Sequence, residues 1–283
     1  MSEERVPQCS GGEQSSLRFW TSAILGAVTS TRQKILTGAV LTDAEWAAYL
    51  AEAHDAAPGM TPRAFATFRT AEGKSSYEIL ASVLDKRKGD IQVVDLGCGD
   101  GFLLQYLLPR LSGASKITAV DMVSSELERA RSQYKDKRIE FVLAGAQSVR
   151  LPPGSVDAVL CHLTLMLMRP IDPVVASLSR LLKPGGEIAA VIAAPIQPGT
   201  AAGAVAGVIG AYMDEKFPGA RNFAPGDQRF RSEEGLQQLF GPQTGFQADL
   251  WVQDFEIRIP ADPETVWMFH KDMYLVGALS PEA

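Results

Sequence analysis

The stretch Ile91-Gln92-Val93-Val94-Asp95-Leu96-Gly97-Cys98-Gly99-Asp100-Gly101-Phe102 is an apolar run that breaks into three glycines spaced two apart. Val93, Val94 and Leu96 predict a buried strand. Glycine permits positive φ angles and close approach of the backbone, so a ligand can lie against this turn. The apolar residues from Phe102 to Leu108 predict a helix whose first N–H groups face that ligand. The stretch therefore predicts a ligand-binding mouth formed by a strand, a tight turn and a helix.

The glycine spacing separates two classes of cofactor. A dinucleotide fingerprint needs Gly-x-Gly-x-x-Gly, but here Phe102 stands at the third glycine position and Gly101 comes one residue early. The pattern Asp95-x-Gly97-x-Gly99-x-Gly101 instead resembles motif I of the class I methyltransferases that depend on S-adenosylmethionine. The resemblance implies S-adenosylmethionine as the cofactor, bound by Asp95 and these glycines.

Two later stretches resemble the same family. Residues 116–121 predict a short strand that ends in an acid, where a carboxylate can accept both ribose hydroxyls of an adenosine. In the family this acid binds the ribose, which implies that role for Asp121, with Met122 packed on the adenine. The turn Leu181-Leu182-Lys183-Pro184-Gly185-Gly186-Glu187 resembles the family's entry into its fifth strand. The alternative is an ordinary nucleotide-binding core with chance spacing.

The third cofactor motif departs from the family pattern. Small-molecule members of the family typically carry an Asp-Ala pair before a Leu-Pro turn, whereas Gly145 replaces the acid here. Adenine recognition is therefore expected to use backbone groups around Ala146 or the side chain of Gln147.

The order of elements predicts the fold class. Strands are predicted at residues 91–96, 117–120, 139–143, 156–161 and 188–192, with helical patterns between them. This alternation is typical of an α/β fold with a doubly wound, mostly parallel, Rossmann-like sheet. Residues 246–255 and 257–259 alternate as expected for final antiparallel strands.

Additional segments are expected to surround this core. Residues 1–74 predict a helical cap, in which residues 1–14 are expected to be disordered, residues 15–31 have helical periodicity, and Thr42 and Glu45 form a capping box. Residues 75–283 are expected to form the cofactor-binding core, with residues 194–240 as an insertion on the substrate side. In this family such a cap usually covers the substrate mouth. The alternative is a stabilising or dimerising appendage, which would give a homodimer.

Composition and charge limit the classes of partner that the protein is expected to bind. The chain has 283 residues, 46% of them hydrophobic, with a formal charge of -6, which is enough to bury a full core. Its longest basic cluster is Lys86-Arg87-Lys88, so no nucleic-acid partner is expected. The absence of a leader pattern and of a membrane-length apolar run predicts no membrane partner. Three cysteines, an odd number, suit a reducing cytoplasm, so a cytoplasmic location is expected.

His162 is the candidate catalytic residue. It lies just after predicted strand four, and a histidine there can act as a base near neutral pH or hold a substrate carbonyl. The alternative is a structural, hydrogen-bonded histidine. The same segment lacks the Asn/Asp-Pro-Pro-aromatic signature of enzymes that methylate nucleic-acid bases or protein glutamine. A small-molecule substrate is therefore favoured.

The helical front, the insertion and the C-terminal segment together loosely resemble bacterial enzymes that methylate α-keto acids at the β-carbon, such as 2-ketoarginine methyltransferases. The resemblance implies a base that forms an enolate and charged groups that bind a carboxylate and a guanidinium. The candidate substrate residues are Arg63, Arg69, Asp214, Glu215, Arg221 and His270. Each of these is also compatible with a solvated or structural position.

Two other functions and one metal hypothesis stay open. The protein is alternatively an O- or N-methyltransferase of a small natural product, or a protein with this fold that has a non-methylating or silent role beside a partner. His162, His270 and Asp272 are candidates to converge on a metal ion, but no short ligand spacing indicates a site, so no metal is expected.

Overall fold

A computed structural model describes residues 31–194, 196–197, 199–246, 250–259, 262–271 and 274–279. The predicted disordered segment 1–14, nearly all of the predicted helix 15–31, and Asp272 lie outside these residues. Described residues 31–37 are helical and lead into the cap.

Five parallel strands form the sheet. They are β1 (Gln92–Leu96), β2 (Lys116–Asp121), β3 (Ile139–Leu143), β4 (Val156–His162) and β5 (Leu182–Val191). Their order across the sheet is β3-β2-β1-β4-β5, and every neighbouring pair is parallel. The order reverses between β1 and β4, and such a reversal places the ligand crevice at the carboxyl ends of the strands. The predicted Rossmann-like sheet is confirmed.

Helices precede, connect and follow these strands. Before β1 lie α1 (Asp43–Ala56), α2 (Met60–Phe65) and α3 (Ser76–Ala81); within the sheet region lie α4 (Leu104–Leu107), α5 (Ser124–Gln133) and α6 (Ile171–Leu181); after β5 lie α7 (Ala201–Lys216), α8 (Glu233–Phe240), α9 (Pro263–Lys271) and α10 (Tyr274–Gly277). The helix predicted from Phe102 begins at Leu104, because a turn at residues 101–103 follows the glycines.

The core lies on both faces of the sheet because successive strand residues point to opposite sides. Val93 packs in a buried cluster with Leu80 and Leu104. Its neighbour Val94 packs in a second cluster with Val174 and Leu178 of α6. The continuous apolar run of β1 is therefore explained by burial on both faces.

The cap has a small core of its own. Trp46 and Tyr49 of α1 are buried together with Ile35, Leu41 and Ala278. The indole Nε1 of Trp46 donates a hydrogen bond to the backbone oxygen of Leu167, at 2.6 Å, in the loop after β4. This contact fixes the cap to the core next to the carboxyl end of β4.

The insertion supports the cap and the β4 loop from outside. The ring of Phe223 lies 5.9 Å from that of Trp46, and the Asp227 N–H donates to the backbone oxygen of Met166 at 3.1 Å. Among the described residues of 194–240, none lines the cleft described below. The role of this insertion as a substrate wall stays a prediction.

The prediction of final antiparallel strands is wrong for residues 250–259. Only Arg258 pairs there, in a single antiparallel bridge with Arg69. Alternating apolar residues stabilise an edge strand when one face is buried, but Trp251 is 78% exposed and Val252 is 49% exposed. Residues 247–249 lie outside the described residues.

In the described part of the chain, no helix is long and apolar enough to span a bilayer.

Thr42 should contribute measurably to stability through the capping box of α1. Its Oγ1 accepts from the Glu45 N–H at 3.2 Å, and its own N–H donates to the Glu45 carboxylate at 2.9 Å. We expect Thr42→Ala to lower the free energy of unfolding by about 1 kcal/mol, measured by urea titration. Thr42→Ser retains the hydroxyl and serves as the control. Equal losses in both variants would contradict a capping role.

Candidate active site

A cleft lies at the carboxyl ends of β1, β2 and β4, beneath α1. The residues that line it include, from the core, Asp95, Gly97, Gly99, Asp100, Asp121, Met122, Glu126, Ala146, Gln147, His162 and Thr164, and, from the cap and the C-terminal region, Trp46, His54, Tyr77 and Tyr274. All eight predicted cofactor residues except Gly101 line this cleft, as does His162.

The three glycines of the turn have different structural roles. Gly97 has a φ of 72°, and a Cβ there would lie 2.4 Å from Cγ2 of Thr164. A Cβ on Gly101 would lie 3.2 Å from that of Ala130 in α5. Gly99, with a φ of 53°, has no atom within 4 Å of the position of a Cβ. Gly97 and Gly101 thus permit close packing, whereas Gly99 leaves space open in the cleft.

Asp95 also lines the cleft, and one oxygen of its buried carboxylate is unsatisfied within the described residues. The side chain is 1% exposed, and its Oδ2 has no hydrogen-bond partner among the described residues. Burial, followed by the nearby charge of Asp121, raises the pKa of Asp95 to about 8. A buried carboxylate is stabilised by a cation or a donor. The ammonium and sulfonium groups of S-adenosylmethionine match this requirement.

Asp121 is fixed at the end of β2 by backbone donors. Its Oδ2 accepts from the Gly99 N–H at 2.8 Å and its Oδ1 from the Val123 N–H at 2.9 Å. Burial raises its pKa, and these hydrogen bonds oppose that rise. Each carboxylate oxygen has further acceptor capacity, so the group can receive hydroxyl donors. Met122, 41% exposed, is next to it.

His162 ends β4 in a buried, neutral environment. Its Nε2 lies 2.9 Å from Oγ of Ser76, and its ring stacks on Tyr77 with centroids 3.6 Å apart. Its Nδ1 has no partner among the described residues. Burial lowers the pKa of His162 to about 3. The imidazole is therefore neutral at neutral pH, with one nitrogen free to bond a ligand.

None of the six candidate substrate residues is among those that line the cleft. Their polar groups bond elsewhere: the Arg63 guanidinium donates to the Pro58 carbonyl, Arg69 to the carbonyls of Ala66 and Phe68, Arg221 pairs with Asp214, Glu215 pairs with Lys216, and His270 Nδ1 contacts the Val266 carbonyl.

Arg169 lines the cleft and was missed by sequence reasoning. Its Nε lies 3.2 Å from Oδ1 of Asp43, and its Nη2 donates to the Leu41 carbonyl at 3.0 Å. It is the one lysine or arginine in the lining formed by described residues. The Met-Arg-Pro sequence that contains it carries no motif, so only the three-dimensional arrangement identifies it.

The described part of the chain contains no group of three or more His, Cys, Asp or Glu side chains that could hold a metal ion.

Known proteins resemble the region around this cleft. A family model described as a methyltransferase domain matches residues 94–190. An uncharacterized methyltransferase of Mycobacterium tuberculosis is 32% identical over 99 residues, which cover 35% of this chain and 49% of the relative. A malonyl-[acyl-carrier protein] O-methyltransferase of Acetivibrio thermocellus is 29% identical over 117 residues, 41% of either chain. The match spans less than half the length of both relatives.

One solved structure is similar to part of the chain. The S-adenosylmethionine dependent methyltransferase from Mesorhizobium loti is 26% identical, with a TM-score of 0.39, and the match covers 46% of this chain and 58% of that one.

The matched region carries the parts of the cleft that fit the cofactor. It contains the glycine turn, the unpartnered carboxylate of Asp95, the fixed carboxylate of Asp121, and His162. Residues 94–190 are therefore similar to a methyltransferase domain, and the cleft residues within them fit S-adenosylmethionine as a cofactor.

Proposed function

We propose that the protein transfers the methyl group of S-adenosylmethionine to a small-molecule metabolite bound beneath the cap. The observation that carries this proposal is the position of α1 over the cleft. Trp46 of α1 is 1% exposed and bonded to the β4 loop, and Tyr274 packs edge-on against its ring at 5.7 Å. A site enclosed in this way suits an acceptor that fits between the cap and the sheet.

The cofactor supplies an activated methyl group, so the protein chiefly binds and orients the two reactants. Asp95 and Asp121 would hold the cofactor, in the space left open by Gly99, with Met122, Ala146 and Gln147 on its nucleoside side. Thr164 packs on Gly97 and fixes the turn against the β4 loop. The acceptor would then lie on the β4 side, next to His162.

The acceptor that we propose is a carbon acid, the β-carbon of an α-keto acid. The low pKa of His162 favours the second of its two predicted roles, that of a neutral hydrogen-bond partner for a carbonyl or enolate oxygen. Arg169 supports the same acceptor class because it lines the cleft and a guanidinium that already contacts Asp43 and the Leu41 carbonyl retains further N–H donors for a carboxylate. A second candidate is methylation of oxygen, favoured by the relative named as an O-methyltransferase.

Filling the space at Gly99 should block cofactor binding. We expect Gly99→Val to weaken S-adenosylmethionine binding by at least about tenfold, measured by calorimetry, because the side chain would occupy the cleft. Gly89→Val is the matched control, since Gly89 also has a positive φ, of 79°, and open space around its Cβ position, but lies outside the cleft. Similar binding by the two variants would contradict the proposed cofactor position.

The ionisation of Asp95 should make cofactor binding depend on pH. With a pKa of about 8, Asp95 is largely protonated at pH 6, and a bound cation favours its ionised form. Affinity for S-adenosylmethionine should therefore rise between pH 6 and pH 8, by up to about tenfold per unit. Asp95→Asn should bind more weakly and lose this component of the pH dependence. Identical pH profiles for both proteins would argue against a cation at Asp95.

The acceptor atom can be identified from the product. We expect methyl transfer from labelled S-adenosylmethionine to α-keto acids, with phenols and amines as comparison substrates and mass spectrometry to locate the new methyl group. On the true substrate, His162→Ala should lower kcat by about 10²–10³-fold, as for loss of an oxyanion donor. A product methylated on oxygen or nitrogen would reject the keto-acid proposal. No transfer to any acceptor class would count against the proposed activity.

A further inference from the structure

Three side chains whose polar groups the preceding proposal does not use meet at the cleft beside Asp121. They are His54 near the end of α1, Glu126 in the first turn of α5, and Tyr274 at the start of α10, and all three line the cleft. They belong to the cap, the core and the C-terminal region, which are far apart in the sequence.

Polar contacts connect Glu126 to His54 and His54 to Tyr274. Oε1 of Glu126 accepts from the Gly59 N–H at 3.0 Å and lies 3.1 Å from Nδ1 of His54. Nε2 of His54 in turn lies 3.4 Å from the Tyr274 hydroxyl. Oε1 of Glu126 is therefore fully engaged by the protein.

The other oxygen of Glu126 has no such partner. Glu126 is 1% exposed, and its Oε2 makes no hydrogen bond within the described part of the chain. A buried carboxylate oxygen left unpaired is costly, and such groups in native proteins almost always have a donor. Since Glu126 lines the cleft, a ligand can supply that donor.

The position of Glu126 indicates which part of a ligand it meets. Burial is the main cause of the raised pKa values of Asp100 and Asp121, and the negative charge of Glu126 raises both further. Glu126 therefore lies within electrostatic reach of Asp121, the residue that fits the ribose hydroxyls. The helix that carries Glu126 begins three residues after Asp121 at the end of β2, and β1 separates β2 from β4, so Glu126 is on the nucleoside side of the cleft and His162 is on the β4 side.

We propose that Glu126 is a second carboxylate of the nucleoside site, whose Oε2 accepts a hydrogen bond from a ribose hydroxyl of the cofactor. His54 and Tyr274 are positioning residues that hold its other oxygen in place. This inference deepens the proposed function and rests on it. Its consequence is that cofactor binding and the position of the cap helix are connected through one side chain.

The test measures binding rather than turnover. Calorimetry with S-adenosylmethionine and with 5′-deoxy-5′-methylthioadenosine, which retains the ribose but lacks the amino-acid part, would compare wild type, Glu126→Gln and Glu128→Gln. The amide that Glu126→Gln introduces can retain the contacts of Oε1 through its own oxygen, while its NH₂ group replaces the Oε2 acceptor by a donor. Glu128 is an exposed acid on the same helix and is the matched control.

We expect Glu126→Gln to weaken binding of both ligands by about tenfold, and Glu128→Gln to leave both within about twofold of wild type. Unchanged binding by Glu126→Gln would overturn the inference. Weakened S-adenosylmethionine binding with unchanged binding of the thioadenosine would also overturn it, since the donor would then lie in the amino-acid part. Failure of wild type to bind either ligand would instead overturn the proposed function.

A double-mutant cycle tests the positioning residues. His54→Asn and Tyr274→Phe should each weaken nucleoside binding in the wild-type background and have no further effect in Glu126→Gln. Additive losses would show that these residues act independently of Glu126. The single variants keep the inference testable even where Glu126→Gln folds poorly: if neither changes the affinity for the thioadenosine, the positioning role is rejected.

Discussion

The close approach of the glycine turn to the loop after β4 is the constraint on which the cleft depends. A Cβ on Gly97 would overlap Thr164, so these two backbones can pack only because position 97 has no side chain. Within the same turn, the Gly99 N–H donates a hydrogen bond to the carboxylate of Asp121. These contacts connect the ends of β1, β2 and β4, where Asp95 and His162 lie. Pre-organisation of this kind reduces the conformational cost of binding a ligand.

The sequence predicted the sheet well because its signals are local. The apolar run of β1, the glycine spacing and the acid at the end of β2 each reflect a requirement met within a few residues. The capping box at Thr42 and Glu45 is of the same kind and is confirmed. The strands expected after residue 246 show the limit of such reasoning. Alternation was present there, but it stabilises a strand only where a partner surface buries one face, and Trp251 is largely exposed.

Candidate substrate residues were harder to predict for a related reason. Charge and residue type predicted Arg221 and Asp214 as substrate-binding residues. These two side chains instead pair with each other, seven residues apart in the chain. Glu126 gave no signal, because an acid in the first turn of a helix is favoured by the helix dipole alone. His54 and Tyr274 are 220 residues apart in the sequence. Their meeting with Glu126 depends on long-range packing of α1 and α10, which no short pattern encodes.

The attachment of α1 at both ends has a consequence for kinetics. Near its start the Trp46 indole bonds the β4 loop, and near its end His54 contacts Glu126 of α5. A helix anchored at two points across a cleft cannot swing open about either anchor without breaking the other. Exchange of a nucleoside bound in the cleft would then require transient detachment of the helix, a local unfolding event with its own free energy. This architecture therefore bears directly on the residence time of such a ligand.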